Sequence, residues 1–199
     1  MAAAAGAAVC YTARALKAGH ARTVRVRSAR ARFRELVREL SECKRSASRF
    51  DSEVPPSAQE VGDAVRALAS CDGGDANAAE AALDRATRLS GVYKLANEEL
   101  TRLMETVDGV EPAQVLVAAG LEPWAEFEAK AREDAVSGGL GVVLDMAGHV
   151  RVARKGLIRA LARRGAELER QAKKLDAGIA AHMRQAGRHA DTASATQAP

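Results

Sequence analysis

The run from Val142 to about His189 constrains this chain more than any other stretch. Met146, Val150, Ala153, Leu157, Leu161, Leu168, Ala172, Leu175, Ile179 and Met183 recur at steps of three and four wherever the run is uninterrupted, the period of one buried helix face. From residue 151 onward, 11 Lys or Arg stand against 4 Asp or Glu, so the opposite face is basic. A helix of roughly 45 residues reaches almost 70 Å at about 1.5 Å per residue. It cannot bury that stripe alone, and earlier segments must pack on it.

Those segments are helical by the same criterion. Phe33, Leu36, Val37, Leu40, Cys43, Ala47 and Phe50 share one face of a first helix over residues 28–50, opposite Arg34, Arg38, Glu42 and Arg45. Pro55 and Pro56 stop it, because neither donates a backbone hydrogen bond and both disfavour a helical residue before them. Ser57 and Glu60 then form a capping-box pattern that opens a short helix with Val61, Ala64, Val65 and Leu68. Residues 76–107 resume the period, with a bend expected at Ser90-Gly91 and a stop at Asp108-Gly109. Glu111-Pro112 predicts a further short helix ending at Gly120, and Glu122-Pro123 another, with Trp124 and Phe127 as its anchor. Ser137 to Gly141 break the chain before the long run.

Composition agrees with this reading. Alanine, arginine, leucine and glutamate favour helix, and the few aromatics leave little to pack a sheet. The expected fold is all-α: an antiparallel helical bundle with a long C-terminal helix and short connecting helices packed at one end. Three regions are expected. Residues 1–28 form a basic, Ala-rich leader, disordered or targeting; residues 29–186 form the bundle, with an insert at 111–141; residues 187–199 form a disordered tail.

The net charge of +4 conceals a segregation. Residues 1–50 carry 12 basic and 3 acidic groups, residues 51–150 carry 7 and 19, and residues 151–199 carry 11 and 4. Basic ends around an acidic middle can pair internally or be displayed to a partner. A chain devoted to nucleic acid would not need so acidic a centre, which makes nucleic acid the weaker partner. Cys10, Cys43 and Cys71 are odd in number and widely spaced, against a disulfide framework or a zinc site. No stretch approaches the roughly 18 uncharged apolar residues of a membrane span.

Little here points to catalysis. His20, His149, His182 and His189 form no ligand cluster and read as solvated surface residues. Gly138-Gly139-Leu140-Gly141 lacks the preceding strand and third glycine of a dinucleotide fingerprint. No carboxylate pair is singled out for acid–base work. The chain reads as one that binds rather than converts, with no catalytic residue, metal or cofactor expected.

Two stretches carry a family resemblance. Glu98-Glu99-Leu100-Thr101-Arg102-Leu103-Met104-Glu105-Thr106-Val107-Asp108, continuing Gly109-Val110, resembles the second helix of a BAG domain. That three-helix module belongs to co-chaperones of the 70-kilodalton heat-shock chaperone. His149-Val150-Arg151-Val152-Ala153-Arg154-Lys155-Gly156-Leu157-Ile158, running on to Leu175-Asp176, resembles the module's third helix. The resemblance implies a protein that grips the chaperone's nucleotide-binding domain, favours its open form and so promotes ADP release. By position it assigns Glu98 and Asp108 to the two acidic contacts and Arg154 to the basic one. Ala162 stands where the family carries a glutamine. About forty residues separate Asp108 from His149 where the family has a short turn, so the helices pair only if the insert folds as a side lobe and returns.

Glu98 and Asp108 are ten residues apart, hence about 80° apart around a helix axis and about 15 Å along it. Both can border one exposed face. An alternative is a scaffolding subunit that forms homo- or hetero-oligomers through the apolar stripe of its basic C-terminal helix, Leu157 and Leu161 included. The co-chaperone reading implies a cytoplasmic protein; the acid-free, Arg/Ala-rich N-terminus suits a mitochondrial or plastid one.

Overall fold

A computed structural model describes residues 2–53, 57–71, 76–121 and 140–196, with side chains described for 17–50, 57–71, 76–121 and 140–188. Among the described residues five helices follow in order: α1 (Ala2–Glu53), α2 (Ala58–Ser70), α3 (Ala76–Asp108), α4 (Ala113–Ala118) and α5 (Gly141–Thr196). No strand occurs among the described residues, and no helix is long and apolar enough to cross a membrane. The protein is an all-α helical bundle with a long C-terminal helix, as the periodicity predicts.

Two compact units share the chain. One comprises Met1–Lys44 and Thr106–Ile158, the other Arg45–Glu105 and Arg159–Pro199.

In the second unit, Val61, Ala64 and Leu68 of α2 meet Ala86, Tyr93 and Ala96 of α3 and Leu168, Ala172 and Leu175 of α5. The contacts fix the helix directions. Asp176 pairs with Ser90 and Lys94, while Gly165 lies against Leu100 and Asn97, so α3 and α5 run antiparallel. Gly178 touches Val65 and Leu68, and His182 reaches the Leu68 carbonyl, so α2 runs parallel to α5. Its start is fixed locally: Ser57 Oγ accepts from the Glu60 amide at 3.2 Å while the Ser57 amide donates to the Glu60 carboxylate at 2.6 Å. This is the capping box read from the sequence.

The first unit is built from Leu36, Leu40 and Cys43 of α1, Val107 and Val110 at the end of α3, Val115, Leu116 and Ala119 of the α4 region, and Val143, Met146, Ala147 and Val150 of α5. Helix α4 closes in a Schellman turn. Gly120 adopts φ +68°, its amide donates to the Val117 carbonyl and the Leu121 amide donates to the Leu116 carbonyl. The glycine is needed there because a side chain disfavours the left-handed conformation.

Several expectations change. Helix α1 begins at Ala2 rather than near Ser28, and α5 continues to Thr196 through the segment expected to be a disordered tail. Neither extension contains a described proline, and alanine and arginine hold a helix well. Helix α3 is continuous through Ser90-Gly91, where Ser90 is buried and hydrogen-bonded to Asp176. At the start of the expected insert Val115, Leu116 and Ala119 are fully buried in the first unit, whereas α2 belongs to the second. Along the α5 stripe Ala153 and Met183 are exposed; Met183 lies past the level of Leu68, the last buried residue of α2. Trp124, Phe127 and most of the Ser137–Gly141 break lie outside the described residues.

Candidate functional site

Helix α3 ends at Asp108, where the Val107 carbonyl accepts from the Val110 amide at 3.2 Å and no further helical turn follows. Arg154, one turn after the buried Val150 on α5, meets that end. Its Nε donates to the Val107 carbonyl at 3.3 Å and its Nη2 to the Asp108 carbonyl at 3.0 Å. Nη2 also pairs with the Asp108 carboxylate. A cation at a helix C-terminus is favoured by the partial negative charge of the terminal carbonyls, and here it donates to them directly, to Val107 as a second donor beside the Val110 amide.

The pair is unevenly exposed. The Arg154 side chain retains 25% of its accessible surface and that of Asp108 retains 70%. The planar guanidinium is therefore held by one edge, and Nη1 makes no hydrogen bond among the described residues. A partner would meet an exposed carboxylate beside an oriented N–H donor. That arrangement suits recognition of a charged protein surface.

Of the three residues singled out in the sequence, Asp108 and Arg154 come together in the first unit. Glu98 lies in the second unit, exposed on α3, and its carboxylate makes no hydrogen bond or ion pair with a described residue. Ala162 is also exposed. The forty residues between Asp108 and His149 do not keep the end of α3 from α5.

A second polar cluster escaped the sequence reading. In the second unit Ser90 Oγ donates to Asp176 Oδ1 at 2.6 Å, and Lys94 Nζ lies 3.0 Å from Asp176 Oδ2. The Ser90 bond and then the Lys94 bond hold the Asp176 carboxyl below the usual aspartate range. Its signal was a serine on the buried stripe between Ala86 and Tyr93, with a lysine one turn on. Nearby, burial first and then the Glu60 charge push the Tyr93 phenol up. These groups tie α3 to α5; Ser90 and Tyr93 are too deeply buried to meet a ligand.

Among the described residues no group of His, Cys, Asp and Glu could hold a metal ion. His149 is exposed as expected, but His182 is half-buried, its Nδ1 3.2 Å from the Leu68 carbonyl. Cys43 and Cys71 are free thiols. Compared with known protein families, curated proteins and solved structures, the chain matches none.

Proposed function

We propose that this chain is a helical co-chaperone of the BAG type, which binds the nucleotide-binding domain of a 70-kilodalton heat-shock chaperone and speeds ADP release without doing chemistry itself. The pairing of Arg154 with Asp108 across neighbouring helices carries the reading, because those residues match the family's contacts and lie far apart in the chain. Asp108 in the first unit and Glu98 in the second are each exposed to solvent. The reading brings a cytoplasmic location with it. The scaffolding alternative relies on Leu157 and Leu161, yet Leu161 is 3% exposed and already committed to the protein's own core.

Stopped-flow release of labelled ADP from the purified chaperone tests the proposal. Wild type should accelerate release, and Glu98→Lys should weaken the effect at least tenfold while leaving the fold intact, since Glu98 bonds no described residue. Ala162→Gln should restore the family's missing polar contact and tighten binding about fivefold, the scale of one ordinary hydrogen bond of about 1 kcal/mol. Unaccelerated release, or equal acceleration by wild type and Glu98→Lys, sinks the idea.

A further inference from the structure

Helix α1 presents a one-sided row of arginines that the co-chaperone reading does not use. Arg27, Arg30, Arg34 and Arg38 are exposed, and none pairs with a described acidic residue. At about 100° per residue they fall within a sector of about 80° and span about 16 Å of axis. The same sector carries His20, Thr23 and Ser41, all exposed. The acidic residues of α1 are sorted elsewhere. Glu35 and Glu39 lie 2.8 and 3.7 Å from Arg32, which turns away from the row to donate through Nε to Gln114 of α4 at 3.0 Å. Glu42 borders the far end of the row.

We propose that this face of α1 is a docking surface for the phosphate backbone of duplex nucleic acid. Four guanidinium forks match phosphate oxygens bidentately, while Thr23 and Ser41, flanking the row, donate their hydroxyls to the Gly19 and Val37 carbonyls and leave the phosphate contacts to the arginines. The face lacks what other anionic partners need. It offers no aromatic on which unpaired bases could stack, which disfavours a single strand. Within the sector no large apolar side chain is present to enter a bilayer or to form the dry centre of a protein interface. A shallow groove lined by Gly19, Arg22, Thr23, Val26, Arg27 and Arg30 borders the N-terminal end of the row, outside the sector on its Val26 side. The acidic middle of the sequence argued against nucleic acid only while charge was counted by segment. On α1 the carboxylates sit mostly on another side.

Fluorescence anisotropy of the full chain with a labelled duplex decides this. Four phosphate contacts predict a log–log salt slope of about −3 to −4, or roughly a hundredfold loss of affinity between about 50 and about 200 mM salt. Arg34→Glu combined with Arg38→Glu should cut low-salt affinity at least tenfold with helicity unchanged by circular dichroism; Arg184→Glu, exposed on α5, should not. Absence of duplex binding at low salt overturns the proposal, as does equal loss with the Arg184 variant. Tighter binding to the matching single strand, or to anionic phospholipid vesicles with no binding to duplex, overturns it as well. These outcomes are independent of the ADP-release assay, which does not involve this face.

Discussion

Arg154 both caps a helix and borders the proposed binding surface. Arg154→Ala removes the donors to the Val107 and Asp108 carbonyls and should cost about 1–2 kcal/mol, read from urea unfolding. Arg154→Lys keeps the charge but loses the planar fork, and should recover only part of that stability. Asp176 gives a pH signature. Its native carboxyl titrates below the usual aspartate range, so the unfolded chain binds the proton first as pH falls. The stability it contributes is complete above the ordinary aspartate value and is lost as pH drops through the lowered native one. Wild type should therefore lose stability more steeply than Asp176→Asn in that acid window, measured by urea unfolding at a series of pH values. The residue types of Arg154 and Asp176 were legible in the sequence; their partners were not, because those lie 46 and 86 positions away.

Glycines in α5 separate packing from propensity. A Cβ on Gly165 would stand 3.2 Å from Leu100 Cδ2 and 3.4 Å from Asn97 Oδ1, whereas one on Gly156 meets nothing within 4 Å. Gly156→Ala should gain about 0.5–1 kcal/mol from helix propensity alone. Gly165→Leu should lose about 1–3 kcal/mol by forcing α3 away from α5. Thermal unfolding of the two variants checks the contrast, and equal effects would mean that α3 does not pack closely at Gly165. Sequence distinguishes these glycines poorly, since both sit in a continuous helical pattern and only the neighbouring helix makes them unequal. Capping was more legible: Ser57 with Glu60, and Gly120 after a short apolar run, act within a few residues, so local spacing sufficed.

At the scale of the molecule, two cores draw on the same three long helices. Leu116 is fully buried in the first unit, and Leu116→Ala should cost about 2–5 kcal/mol. Hydrogen exchange should then quicken in Ala113–Ala118 and in the part of α5 up to Ile158, while α2 keeps its protection. Loss of protection spread evenly over both units would show that they unfold together. The sequence reading took α4 for the start of an insert, because its run of Val115, Leu116 and Ala119 is too short to reveal which core it enters.

By itself the sequence determined the helical class, the long C-terminal element, the capping box of α2 and the glycine that ends α4. Each follows from 3.6-residue periodicity or from bonds within one turn. It also supplied Asp108 and Arg154 as candidates through a family pattern. Only the tertiary structure placed Arg154 on the end of α3, put α4 in a core and sorted the charges of α1 onto separate faces. These depend on which helices meet, and a contact between distant helices is decided by packing that no local spacing encodes.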